Sequence, residues 1–94
     1  MILVTVTYHC APGEREGFVN DLKKERIGEI SRAEKGNIDY SYFCSVDDPD
    51  AVLLLEKWED QAVLDAHCAA EHFKKIPAIK EAHGVTMERE AWTV

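Results

Sequence analysis

The alternation of apolar and polar residues divides this chain into four strand-like segments with two helical regions between them. Polarity alternates in Ile2–His9, Ile38–Ser45 and Val85–Val94, and Ala51–Trp58 has a nearly unbroken apolar centre, which together predict four strands. Helical spacing of apolar residues precedes the second and the last of them. The order βαββαβ predicts an α+β, ferredoxin-like fold, an antiparallel sheet with helices on one face.

Turn and cap residues give the limits of the first helical region. Pro12-Gly13 supplies a turn, and the acidic residues that follow favour a helix N-terminus. Gly36 is predicted as the C-cap. In a straight helix Arg26 would share the apolar face and Ile27 would lie opposite, so we expect a kink near Arg26–Gly28.

The second half of the chain has equally clear boundaries. The turn Asp47–Asp50 joins two strands, which should form a hairpin buried on both faces. Asp60 is a favourable N-cap, Pro77 should interrupt or restart the helix, and Gly84 should end it.

Length and charge narrow the possible functions. With 94 residues the chain is expected to form one domain, residues 1–94. The 18 acidic and 11 basic residues give a formal charge of -7, which argues against nucleic acid as a partner. The apolar N-terminus alternates like a strand rather than a signal peptide, and no apolar run approaches the roughly 20 residues of a membrane span. We therefore expect a soluble, cytoplasmic protein without a membrane partner.

Cofactor motifs are missing from the sequence. Cys10, Cys44 and Cys68 are odd in number and widely separated, so we expect reduced thiols and no metal site. The chain has no GxGxxG, no P-loop and no Gly-x-Ser-x-Gly elbow, which disfavours nucleotide-dependent chemistry and serine hydrolysis.

Two histidines and two large aromatic residues, Trp58 and Phe73, lie within one short stretch and make it the candidate site. His67 follows Leu64 by three residues on an apolar helix face, so its imidazole should point inward, as a base or as a structural histidine. His72 lies about 140° farther round an ideal helix. Both can serve one cavity only if the helix breaks near Ala70; otherwise His72 faces solvent or caps the next turn.

Other polar residues could contact a substrate. Glu56 shares a strand face with Trp58 and needs a partner if buried, either Arg26 or a histidine, although an edge-of-sheet salt bridge is the leading interpretation. Trp58 could be a pocket wall or core packing. Tyr40 could donate a hydrogen bond to a substrate or lie at an interface. Arg26 is either a cation for an anionic substrate or a snorkelling side chain.

Several of these residues, taken in order, resemble the antibiotic biosynthesis monooxygenase domain proteins, which include small quinol monooxygenase-like enzymes. The matching positions cover nearly the whole chain: Pro12-Gly13, Phe18, Glu34, Gly36, Tyr40, the run Glu56–Asp60, Leu64, His67 and His72-Phe73. The family usually has Glu-Pro-Gly-Cys where this chain has Glu34-Lys35-Gly36-Asn37, a departure that alters a turn.

The resemblance implies a homodimer of the dimeric α/β-barrel type, formed by packing sheets together, with one pocket in each subunit. It also implies oxidation of phenols, anthrones or quinols by dioxygen without metal, flavin or haem. His67 would then be the base or the donor that stabilises the anion, with Tyr40 and Trp58 as substrate contacts. His72 and Phe73 would form the cavity wall.

Three alternatives differ in chemistry. An isomerase of a small phosphorylated sugar would need a phosphate anchor, for which Arg26, Lys57 and Arg89 are the candidates. Haem degradation in related folds uses an Asn on the first strand, which Ile2–His9 lacks. A non-catalytic dimeric module would bind a small aromatic molecule without converting it.

Overall fold

Four strands and a set of short helices make up most of the chain in the computed structural model, which describes residues 1–94. In chain order they are β1 (Ile2–His9), α1 (Arg15–Lys24), α2 (Ile27–Arg32), β2 (Asn37–Cys44), β3 (Ala51–Trp58), α3 (Gln61–Cys68), a 3-10 turn (Phe73–Lys75), α4 (Ile76–Ala82) and β4 (Thr86–Thr93). The strand boundaries agree with the sequence prediction to within one residue.

The strands form one antiparallel sheet in the order β2-β3-β1-β4. This is the ferredoxin-like arrangement, so the predicted fold class is confirmed. In the two central strands Val6 lies opposite Leu54, and Arg89 of the edge strand β4 also lies opposite Val6. Residues that are directly opposite each other point to the same face, so these three side chains face the helices.

The predicted kink is a complete break between α1 and α2. Arg26 adopts a left-handed conformation with φ 57°, and its N–H donates to the Lys23 carbonyl. The break rotates Ile27 into the core, where it is fully buried, so the mismatch seen in the sequence is resolved by re-phasing the helix.

The C-cap prediction at Gly36 is wrong. The cap is Ala33, and Gly36 instead forms the left-handed turn into β2 with φ 81°.

The core lies on one face of the sheet, between the strands and all the helices. Several large apolar side chains outside this core stay exposed: Phe43 of β2 is 51% exposed, Leu53 of β3 is 37% exposed and Trp92 of β4 is 43% exposed. The expectation that the β2–β3 hairpin is buried on both faces is therefore wrong for a single chain. The physical reason is that no helix crosses to the second face.

No helix of the structure has the length and apolar character needed to cross a membrane.

One histidine joins the end of α4 to α1. His83 Nε2 lies 2.6 Å from Asp21 Oδ2, and its Nδ1 lies 3.0 Å from Glu14 Oε1. The hydrogen bond to Asp21, followed by that to Glu14, raises the pKa of His83. Gly17 leaves room for the ring, because a Cβ there would lie 2.9 Å from His83 Cε1.

This arrangement predicts a pH-dependent stability. A raised folded-state pKa means that the stabilisation is fully present below the unfolded imidazole pKa, about 6.5, and is lost as pH rises through the folded value. Above about pH 6.5 we expect the melting temperature of the wild type to fall with rising pH more steeply than the melting temperature of the His83→Gln variant. Differential scanning fluorimetry from acid to alkaline pH measures this. Parallel curves for the two proteins would contradict the assignment.

Candidate active site

A cavity of about 120 Å³ lies between the inner face of the sheet and helices α3 and α4. Nine of its 14 lining residues are hydrophobic, so the interior is mainly apolar. The polar groups of the buried part are few: the hydroxyls of Tyr8 and Tyr40, the carboxyl of Glu56 and the imidazole of His67. Six lining residues are exposed or half-exposed and form the open side, two of them cations: Cys68, Phe73, Pro77, Lys80, Met87 and Arg89.

Strand alternation and a capped helix bring these groups together. Leu54, Glu56 and Trp58 occupy alternate positions of β3 and face the helices. Asp60 accepts a hydrogen bond from the Val63 N–H at 3.0 Å and so fixes the start of α3. The helical period then turns His67 inward above β3.

His67 is the centre of the site and is only 2% exposed. Its ring lies 4.7 Å from Trp58, 5.3 Å from Phe73 and 5.5 Å from Tyr40, measured between ring centroids. Its Nδ1 lies 2.7 Å from Glu34 Oε1. Because a carboxylate can only accept, Nδ1–H donates to Glu34, and the neutral ring keeps a free lone pair on Nε2.

The free nitrogen of His67 is directed toward the cavity. Nε2 lies 3.8 Å from Oε1 of Glu56, a residue of the cavity wall, which is too long for a hydrogen bond. Glu34 itself is not part of that wall. The pair therefore has the geometry of an oriented base, with the carboxylate behind the ring and the unprotonated nitrogen in front.

His72 also lies beside Glu34, but it does not line the cavity. Its Nε2 lies 2.7 Å from Glu34 Oε1 and 3.1 Å from Ser31 Oγ. The Ser31 hydroxyl donates to the Ile27 carbonyl at 2.7 Å, so it can only accept from His72. The condition for the two histidines to meet is fulfilled, because α3 ends at Cys68 and the chain turns so that the two imidazoles lie with centroids 5.5 Å apart, although only His67 lines the cavity.

Glu56 is buried on an interior strand, 6% exposed, and accepts a hydrogen bond from the Trp58 indole N–H at 3.0 Å. Burial raises the pKa of Glu56, opposed in part by the Trp58 hydrogen bond and by the charges of His67 and Arg89. The expectation of an edge-of-sheet salt bridge is wrong, because β3 is flanked by strands on both sides. Trp58 and His67 are the neighbours of this carboxyl, and Arg26 is not.

The tyrosines of β2 remain protonated phenols. Burial raises the pKa of Tyr40 far above its usual value and raises that of Tyr42 to about 12. Their rings meet edge to face with centroids 5.7 Å apart, and only Tyr40 lines the cavity. The Tyr40 hydroxyl is therefore a hydrogen-bond donor at the cavity wall.

Three residues predicted to bind substrate do not line the cavity. Arg26 has a side chain 63% exposed and pairs with Glu29 at 2.9 Å, because the left-handed break directs it away from the core. Trp58 is fully buried behind His67, and His72 lies behind Glu34. Of the predicted site residues, the structure brings Tyr40, Glu56, His67 and Phe73 to the cavity.

The phosphate-anchor candidates are also separated. Lys57 lies opposite Leu3 on the sheet face away from the helices, and Arg26 lies at the helix break. Only Arg89 lines the cavity. The sequence gives no indication that Lys80 would join it, and it identifies Glu34 only through the family resemblance.

Glu34, His67 and His72 offer three donor atoms within 4.8 Å of one another. Imidazole and carboxylate together form a ligand set that suits divalent transition metals. Here, however, His67 Nδ1 already donates to Glu34 Oε1 at 2.7 Å, and His72 Nε2 lies 2.7 Å from the same oxygen while it donates to Ser31 Oγ. These contacts account for the positions of all three side chains.

Comparisons with known proteins show the family of this chain. The model of the family "Antibiotic biosynthesis monooxygenase" matches residues 1–78, and the chain belongs to that family. It is 32% identical over 78 residues to "Putative monooxygenase YcnE" of Bacillus subtilis (strain 168), covering 83% of this chain and 80% of that protein. A crystal structure of an antibiotic biosynthesis monooxygenase superposes with TM-score 0.85 at 27% identity, over 100% and 98% of the two chains. A conserved protein from Methanosarcina mazei Go1 gives TM-score 0.83 at 29% identity, over 98% and 91%.

Proposed function

We propose that this protein is a monooxygenase that oxidises a small electron-rich aromatic substrate, a quinol, with dioxygen and without metal, flavin or haem. The observation that carries the proposal is the Glu34–His67 pair, whose free Nε2 points toward an apolar cavity. Membership of the family supports the reaction class. The substrate supplies the reducing electrons, so the protein needs to supply a base and a dry site.

The first step is removal of a phenolic proton by His67 Nε2. Glu34 stabilises the imidazolium that forms, because its carboxylate already accepts the Nδ1 proton at 2.7 Å. Tyr40 is placed to donate a hydrogen bond to the phenolate, and Glu56 can do so when protonated. The low polarity of the wall strengthens each of these interactions.

The next steps transfer electrons to dioxygen. The phenolate passes one electron to dioxygen, and the resulting aryloxyl radical and superoxide combine at a ring carbon. The peroxide anion that results takes up the proton held by His67 to give a hydroperoxide, which loses its OH together with the hydrogen of the same ring carbon as water and leaves a carbonyl there. For a single-ring quinol the products are a hydroxyquinone and one water, so both oxygen atoms and all four electrons are accounted for.

The size of the cavity favours one aromatic ring. A dry cavity of about 150 Å³ in another protein accommodates a benzene molecule. The space of about 120 Å³ is somewhat smaller but open on one side, so it suits a single ring whose substituents reach the opening, whereas a three-ring anthrone would extend far beyond it. A cytoplasmic location is part of the proposal, since all three thiols are unpaired.

We also propose that the protein is a homodimer that forms through the outer face of the sheet. Leu53 on β3 is 37% exposed, and β1 and β4 place Leu3 and Trp92 opposite each other on the same outer face. An apolar sheet face of this kind needs a cover. We expect a dimer in light scattering, and we expect Leu53→Asp to shift it toward monomer. The matched control is Val46→Asp, which changes a 99% exposed residue in the β2–β3 turn. A monomeric wild type, or equal behaviour of the variants, would contradict the sheet-face dimer.

Oxygen consumption by the purified protein across a panel of substituted quinols and an anthrone tests the function. We expect uptake above the spontaneous rate, one water and one hydroxyquinone per dioxygen, and no stimulation by added flavin or iron. Saturable binding without oxygen uptake would overturn the proposal in favour of a non-catalytic binding module.

A further inference from the structure

We propose that the substrate is an aromatic acid, whose ring enters the cavity and whose carboxylate lies between Lys80 and Arg89 at its open side. This inference deepens the proposed function by naming the substrate class. It rests on that function only for what happens to the ring after binding.

Two cations line the open side without an ionic partner. Lys80 Nζ contacts only the sulfur of Met87, at 3.5 Å, and Arg89 takes part in no hydrogen bond or ion pair. Arg89 faces the helices because it lies opposite Val6 across β1 and β4. Three of the other nine Lys and Arg side chains form ion pairs: Arg26 with Glu29, Lys74 with Glu71 and Lys75 with Glu25.

The local charge is opposite to that of the whole protein. The chain carries a formal charge of -7, yet Glu56 is the only acidic residue that lines the cavity. Glu56 lies deep, is held by the Trp58 indole and is 6% exposed; the charge of Arg89 lowers the pKa of Glu56, yet the two side chains form no hydrogen bond or ion pair, so the guanidinium of Arg89 can still bind an anion at the opening. Solution ions screen charges beyond about 8 Å, so an arriving anion responds mainly to the groups at the opening, where Lys80 and Arg89 are the cations.

This charge placement would orient the ring. A carboxylate can accept two hydrogen bonds from an arginine in a fixed plane, and a lysine adds a point charge beside it. The apolar interior disfavours the carboxylate, so the acid group stays at the opening. A phenolic hydroxyl on the far side of the same ring then faces His67 Nε2, the proposed base.

Matched ligands test the inference without turnover. Calorimetry under argon compares 2,5-dihydroxybenzoate with 2,5-dihydroxybenzamide, which has the same ring and hydroxyls but no charge. We expect the acid to bind at least about tenfold tighter, a preference of about 1.4 kcal/mol. Arg89→Gln and Lys80→Gln should each reduce the preference, and the double variant should abolish it. Lys24→Gln, an exposed cation distant from the cavity, should retain it.

Three results would overturn the inference: equal binding of acid and amide by the wild type, an unchanged preference in the double variant, or displacement of the acid by inorganic phosphate at equal concentration. The last result would indicate a phosphate site that does not need the ring. Both substituted side chains lie at the open side, so a melting curve suffices to confirm folding. Because the assay needs no oxygen, acid-selective binding without oxygen uptake would reject the monooxygenase and retain the anion site.

Discussion

Replacement of His67 by asparagine is expected to lower turnover by about 10²–10⁴-fold, the range for loss of a general base. The amide nitrogen of asparagine occupies roughly the place of Nδ1 and can still donate to Glu34, which accepts at 2.7 Å. Nothing replaces Nε2. The substitution therefore removes the proposed base while it keeps the buried carboxylate hydrogen-bonded.

His67→Ala is the comparison that makes this result specific. Alanine removes both nitrogens and the ring that packs on Trp58 and Phe73, so it should reduce turnover and the melting temperature together. Asparagine should cost much less stability. Oxygen uptake and scanning fluorimetry on the three proteins separate the two roles. An asparagine variant with wild-type turnover would show that His67 is structural.

The fold was predictable because its signals are local. The alternation of polarity in the strands, the helix N-cap at Asp60 and the helix break that buries Ile27 each depend on residues close together in the sequence. The short turn between β2 and β3 pairs these two strands, whereas β1 pairs with β3 and β4 over long stretches of chain, as the βαββαβ order implies. The C-cap at Gly36 was misplaced because a left-handed glycine marks a turn, and here the turn lies three residues after the helix cap at Ala33.

The site was only partly predictable because its key contact is long-range. Glu34 and His67 are 33 residues apart, and nothing in either local segment indicates that they meet. The inward direction of His67 could be read from its helical spacing. Arg26 was misjudged for the opposite reason, since its place on the apolar face held only for a helix without the break.

The outer sheet face shows a further limit of sequence reasoning. The apolar centre of β3 correctly indicated two apolar faces, Leu54 inside and Leu53 outside. The prediction of burial on both faces fails in one chain because only one set of helices exists to cover them. A second copy of the sheet would supply the other cover, which links the exposed Leu53 to the proposed dimer.

Replacement of Glu34 by glutamine is expected to lower kcat by about 10²–10⁴-fold with little change in KM. A buried carboxylate behind a catalytic histidine fixes its tautomer, and its neutral amide can cost about 10⁴ in kcat in a well-studied hydrolase. If glutamine presents its NH₂ group to His67 Nδ1, the ring proton moves to Nε2 and the base is lost. KM should stay nearly unchanged, because Glu34 does not line the cavity and so does not contact the substrate.

His72→Gln is the matched control for that prediction. The glutamine amide nitrogen reaches roughly the position of His72 Nε2, so it can still donate to Ser31 Oγ, 3.1 Å from that nitrogen, and it stays beside Glu34 Oε1, 2.7 Å from it. We expect nearly full turnover, which would show that Glu34 acts through His67 rather than through the buried network as a whole. Steady-state kinetics, with anaerobic ligand binding on each variant, measure this. Equal losses of kcat in Glu34→Gln and His72→Gln, or a loss expressed mainly in KM, would assign Glu34 a structural role.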